Sequence, residues 1–172
     1  MAPKPKAKPP SASRVEMLHL VLPQDTNPLG NVLGGYVMHL MDQAAATAGV
    51  RHARRPVVTA SVDKLDFHAP IRMGQFIILQ ASVNAAFHSS MEIGVRVQGE
   101  HPFTGVRTHT SSGYFTFVAL DEAGKPTTVP RLAPVTAEDQ RRFREAQARR
   151  AARLSERAGT EGRARRRKSA KR

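Results

Sequence analysis

The sequence predicts an α+β domain in which one long apolar helix packs against an antiparallel sheet of about five strands. Three observations lead there. From Tyr36 onward, Val37, Leu40, Met41, Ala44, Ala45 and Ala48 recur at three- and four-residue spacing, which places them on one helical face. Met91, Ile93, Val95 and Val97 alternate with Glu92, Gly94, Arg96 and Gln98, the period of a strand with one buried side. The remaining apolar runs are short and are separated by Gly and Pro clusters rather than by further helices.

The elements follow in order. Residues 1–13 hold four Pro and three Lys with little to bury, which predicts disorder. Val15 to Leu22 reads as a strand ended by Pro23. A Gly- and Pro-rich loop then runs into the apolar helix, with Gly49 as its expected stop. Val57 to Phe67 reads as one long strand. Phe76 to Val83 is apolar on both sides, so it is expected at the sheet centre. Asn84 to Ser90 reads as a polar connection, and strands follow over Met91–Gln98 and Val106–Leu120. Thr136 and Asp139 begin a final helix over 137–158. Its only large apolar residues are Phe143 and Leu154, so it is expected to rest lightly on the body. Residues 159–172 read as a disordered basic tail. The compact domain is thus expected over 14–136.

Composition narrows the function. The net charge of +13 resides in the tails. Residues 1–13 carry three Lys and no acid, and residues 137–172 carry fourteen basic against five acidic groups. The 123 residues between carry ten basic and nine acidic groups, a net +1. A nucleic-acid surface on the domain itself is therefore not expected. With no cysteine there is no disulfide, thiolate nucleophile or Cys-ligated metal, which fits a cytoplasmic protein. No apolar run is long enough for a membrane helix. The seven His show no helical pairing suited to a metal, so neither metal nor cofactor is expected. There is no Gly-x-Ser-x-Gly elbow and no phosphate loop ending in Lys and Ser or Thr.

One stretch carries the chemistry. Asp42 sits in the middle of the apolar helix, where an unpaired carboxylate is expensive to bury. Seven residues are about two turns, so Asp42 shares a helix side with Gly35. The helix start offers free N–H groups, and Gly34 and Gly35 allow a ligand close to that backbone. An acid, N–H donors and small neighbours (Ala45, Ala46, Gly49) are parts of a hydrolytic acyl-transfer site. The residues leave an alternative open, in which Asp42 pairs with a distant Arg and shapes the core.

The chain resembles the hotdog-fold acyl-CoA thioesterases, specifically the cytosolic acyl-CoA hydrolase group, over roughly residues 18–144. The matching pieces are Pro23-x-Asp25-x-Asn27, Gly30-Asn31-Val32-x-Gly34-Gly35, Met41-Asp42, Val58-Thr59-Ala60-Ser61-Val62, Phe67-xx-Pro70-Ile71-xx-Gly74, Ser90-Met91-Glu92, Phe117-Val118-Ala119-Leu120 and Gly124-Lys125-Pro126. The resemblance implies a sheet wrapped around the helix and hydrolysis of acyl-CoA at a dimer interface. It also implies a trimer of dimers. Asp42 would supply the catalytic carboxylate, and Asn31 a second catalytic group reaching in from the partner chain. N–H groups near Gly35 would hold the oxyanion, with Gly34 beside the substrate. Thr59 would line the substrate channel, and His88, Ser89 and Ser90 would contact CoA. Leu33 departs from the His or Phe of some relatives. Two other readings stay open: an acyl-CoA-binding regulator associated with DNA, and a dehydratase using His39.

Overall fold

The computed structural model describes residues 6–63 and 65–169, with side chains through residue 156. Strand β1 (Val15–Leu20) leads through a short 3-10 turn (Pro23–Asp25) and a loop into helix α1 (Gly34–Ala53). Strands β2 (Val57–Val62), β3 (Asp66–Phe67), β4 (Phe76–Ala86), β5 (Ser90–Glu100) and β6 (Arg107–Ala119) follow, and helix α2 (Ala137–Ser169) closes the chain. All strand pairs are antiparallel, in the order β1-β4-β5-β6-β2, with β3 also paired to β6.

The sheet's inner face wraps α1. Met41, Ala44, Ala45 and Ala48 are fully buried against Met91, Ile93, Val97 and Phe117. The small side chains let the helix sit close to the strands. Gly49 shows why: a Cβ there would lie 3.2 Å from Ile93 and 3.4 Å from Val57. Gly49 is therefore a packing residue and not the expected stop. The helix runs on to Ala53 and ends at Arg54, whose φ of 55° is left-handed.

Several expectations change. The long strand expected over 57–67 is two strands, β2 and β3. The connection expected from Asn84 begins only after Ala86, and Asn84 is buried. Glu92, expected to face water, is fully buried because α2 covers the sheet's outer face. Arg149 forks onto Glu92 and stacks on Tyr114, Arg153 reaches Asp63, and Arg150 lies over Phe87. The helix docks through arginine rather than through an apolar stripe, so its hydropathy concealed the contact.

Both tails are more ordered than composition predicted. Residues 1–5 and 170–172 lie outside the described residues. Lys8 pairs in parallel with Leu132, Pro10–Ser13 form a 3-10 turn, and Ser13 is fully buried. The N–H of Lys8 donates to Arg131 O and Lys8 O accepts from Ala133 N–H, so backbone pairing replaces the missing apolar side chains. At the other end, the backbone of α2 continues past Ala158 as helix.

Candidate active site

The site has two halves. The first is the pairing of α1 with β2. The Thr59 hydroxyl donates to Asp42 Oδ1 at 2.7 Å. Asp42 is half-buried in the single chain, not enclosed as its apolar helix suggested, and no Arg pairs with it among the described residues. Thr59 and its neighbour Ala60 are exposed, and β2 forms an edge of the sheet. A carboxylate with one hydroxyl partner and open space can take a proton from water or act as a nucleophile.

The second half is the loop before α1. Thr26 bridges Val32, Asn27 N–H donates to Asn31 O, and Leu33 N–H donates to Asp25 O at 3.0 Å. Asn27 Oδ1 accepts the N–H groups of Leu29 at 3.0 Å and Asn31 at 3.2 Å. Two N–H donors require an oxygen, so the Asn27 side chain is fixed with its amide NH₂ turned away from them. Asn31 is anchored by its backbone, which also bridges Arg72. Gly34 and Gly35 open α1, and no side chain caps it. Their N–H groups have no acceptor among the described residues. A Cβ at Gly35 would meet nothing within 4 Å, so the approach is open.

A cleft of about 290 Å³ adjoins this half, lined by Asn31, Val32, Gly34, Val37, Phe67 and Ile71 among others. A larger cavity of about 660 Å³ lies on the opposite sheet face, between the strands and α2, and is lined largely by Arg, Glu and other polar groups. It includes neither Asp42, Thr59, Gly34 nor Gly35, whereas the smaller cleft includes Asn31 and Gly34 but not Asp42 or Thr59.

The structure thus joins Asp42 to Thr59, and Asn31 to Gly34, but not one pair to the other. Gly35 lies seven residues, roughly 10 Å of helix axis, from Asp42. His88, Ser89 and Ser90 occupy the β4–β5 hairpin. Ser90 pairs with Val118, which pairs with Val58, so it stands two strand spacings, about 10 Å, from β2. No hydrogen bond or ion pair joins the hairpin to Asp42 among the described residues. Asn27 was not singled out from the sequence as a site residue. An Asn followed by Pro at the head of a Gly-rich loop was the available signal.

A model of the thioesterase superfamily matches residues 29–102. An uncharacterized acyl-CoA thioester hydrolase of Bacillus subtilis is 42% identical over 127 residues, 74% of each chain. The rat cytosolic acyl coenzyme A thioester hydrolase is 38% identical over 141 residues, which cover 81% of this chain but only 37% of that longer protein. Among solved structures, a hexameric acyl-CoA thioesterase crystallised without ligand superposes with a TM-score of 0.85 at 40% identity, covering 88% of this chain and 97% of that one. An acyl-CoA hydrolase from Staphylococcus aureus, solved with butyryl coenzyme A and coenzyme A, gives 0.84 at 35% identity, covering 90% and 94%. That enzyme was also solved with Ala replacing one Asp, one Asn and one Thr.

Proposed function

The chain belongs to the acyl-CoA thioester hydrolases of the thioesterase superfamily, and we propose that it hydrolyses acyl-CoA to a free carboxylic acid and CoA at sites shared between two chains. The observation that carries this reading is the Asp42–Thr59 pair, a carboxylate held by one hydroxyl beside open space. Asp42 takes a proton from water as the water oxygen attacks the thioester carbonyl. The carbon–sulfur bond then breaks, and the CoA thiolate leaves and takes up the proton. Thr59 fixes the carboxylate.

Spacing supports a change in the partner group. The three replaced positions in the S. aureus enzyme are an Asp, an Asn 15 residues before it and a Thr 17 after it. In this chain Asn27 stands 15 before Asp42 and Thr59 stands 17 after it, whereas Asn31 stands only 11 before. Asn27, with its NH₂ free to donate, is the better candidate for the catalytic amide. Asn31 then lines the substrate cleft. The NH₂ of Asn27 and the N–H groups of Gly34 and Gly35 stabilise the oxyanion, at about 3–4 kcal/mol per donor in a comparable hole.

The minimal unit in this reading is a homodimer, and the hexameric relative supports a trimer of dimers. His88, Ser89 and Ser90 would meet CoA from elsewhere in that assembly. No described helix is long and apolar enough to cross a membrane, and a cytoplasmic location suits the substrate. The test is thiol release from acyl-CoA by Asn27→Ala and Asn31→Ala. The proposal expects Asn27→Ala to lose about a hundredfold or more in kcat, and Asn31→Ala to change mainly KM. The reverse pattern would return the role to Asn31. Wild-type protein that releases no thiol from any acyl-CoA would defeat the proposal.

A further inference from the structure

A second polar cluster lies behind the Asn27 loop. Asp25 is only 7% exposed, yet its carboxylate is well supplied with donors. Leu22 N–H donates to Oδ2 at 2.9 Å, and His19 Nε2 lies 3.1 Å from the same oxygen. The Tyr36 hydroxyl stands 3.2 Å from the same His19 Nε2. The His19 and Tyr36 rings meet edge to face, with centroids 5.4 Å apart. An ionised Asp can only accept, so Nε2 carries the proton and donates to Asp25, with the Tyr36 hydroxyl oxygen beside the same N–H. The Leu22 N–H, followed by His19, holds the Asp25 carboxyl below its ordinary range, while burial and the Asp25 charge push the Tyr36 phenol up.

The placement of these three residues is the notable point. His19 belongs to β1, Asp25 to the 3-10 turn and Tyr36 to the first turn of α1. Asp25 is two residues before Asn27, and its own carbonyl closes the loop through Leu33 N–H, immediately before Gly34. Asp25 therefore ties the start of the loop to its end through its backbone carbonyl, while its carboxylate links through His19 to Tyr36 on the helix that supplies the glycine N–H groups. Helix and loop could otherwise shift relative to each other, because no side chain caps α1.

We propose that His19, Asp25 and Tyr36 form a positioning network that holds the Asn27 amide in register with the N-terminal N–H groups of α1. The proposal rests on the reading of that loop as half of the thioesterase site. None of the three touches substrate; they act through Asn27 and the helix start.

The experiment compares Tyr36→Phe, Asp25→Asn and wild type in thiol release from butyryl-CoA, with hydrogen exchange followed by mass spectrometry on the 22–33 segment. Asp42→Asn is the control for the underlying reading. Tyr36→Phe keeps the ring and removes only the hydroxyl, so it keeps the fold even where Asp25→Asn does not. Its kcat should fall about ten- to a hundredfold, the scale of a small misplacement of catalytic groups, with KM changed less than threefold. Exchange in 22–33 should rise while β4 and β5 stay protected. An unchanged kcat, or a lower kcat without faster exchange in that segment, overturns the network. An active Asp42→Asn overturns the underlying reading instead.

Discussion

The Thr59 hydroxyl and the Asp42 carboxylate meet at 2.7 Å across the junction of an edge strand and the central helix. The contact changes what replacing Asp42 should do. An enclosed, ion-paired Asp would leave a stranded charge when neutralised, at about 3–5 kcal/mol. Here the acid is half-buried and its partner is a neutral hydroxyl. Asp42→Asn should therefore cost no more than about 1 kcal/mol of stability. Turnover should drop to background. A urea titration beside a thiol-release assay measures both, and near-normal turnover would remove Asp42 from the chemistry.

The docking of α2 gives a second expectation. Glu92 is fully buried between Arg149, Arg153 and Asn84. Glu92→Ala strands the Arg149 guanidinium under the helix. Arg149 keeps about a quarter of its side-chain exposure, so the cost should fall below that of a sealed pair, at about 2–3 kcal/mol. The double variant Glu92→Met/Arg149→Met should recover much of that loss. Denaturant midpoints of wild type, Glu92→Met, Arg149→Met and the double form the cycle. Strictly additive losses would mean that the pair is not what holds α2.

The N-terminal segment gives a third. Deleting residues 1–13 removes the Lys8 N–H bond to Arg131 O and the Ala133 N–H bond to Lys8 O. It also removes the Lys8 ammonium bond to His52 O at 2.7 Å, and it uncovers the groups packed around Pro10 and Ser13. At about 1 kcal/mol per net hydrogen bond, stability should drop by roughly 2–3 kcal/mol. Deleting residues 1–5 alone leaves these contacts in place. Thermal melts of the two truncations should therefore separate, and coincident melts would show that the segment contributes nothing.

What could be read from the sequence followed the range of the interactions. The α1 face and the inward row of β5 were legible because each repeats a local period, and the buried residues are the expected ones. Gly49 was misread because a helix stop and a close helix–strand contact call for the same residue. Glu92 was misread because period 2 gives the face of a strand but not what covers it. Its cover is a helix whose docking side chains are arginines 57 and 61 residues away in sequence. Asp42 was found as an oddity in an apolar helix. Its partner Thr59 stood in a strand where Thr is ordinary, and only the fold brings the two together.

The last expectation concerns how the two halves of the site meet. Asn27 is fixed in a loop at the start of α1, and Asp42 lies more than two turns into that helix, over 10 Å along its axis. Among the described residues no hydrogen bond joins them within one chain. Both halves leave apolar groups uncovered: Leu29 (81% exposed) and Leu33 on the loop, Met38 on α1 one turn before Asp42, and Val58 and Val62 on β2. A second copy related by a two-fold axis could cover these groups and bring its own Asn27 to Asp42, giving two equivalent sites per dimer. Mixing Asn27→Ala chains with Asp42→Ala chains, each inactive alone, tests this arrangement. In a mixed dimer one site lacks both groups and the other keeps both. With random exchange at equal amounts half the dimers are mixed, so activity should return to about a quarter of wild type. If mass spectrometry confirms exchange and no activity returns, the two groups act within one chain, and the exposed leucines and valines serve an assembly that does not build the site.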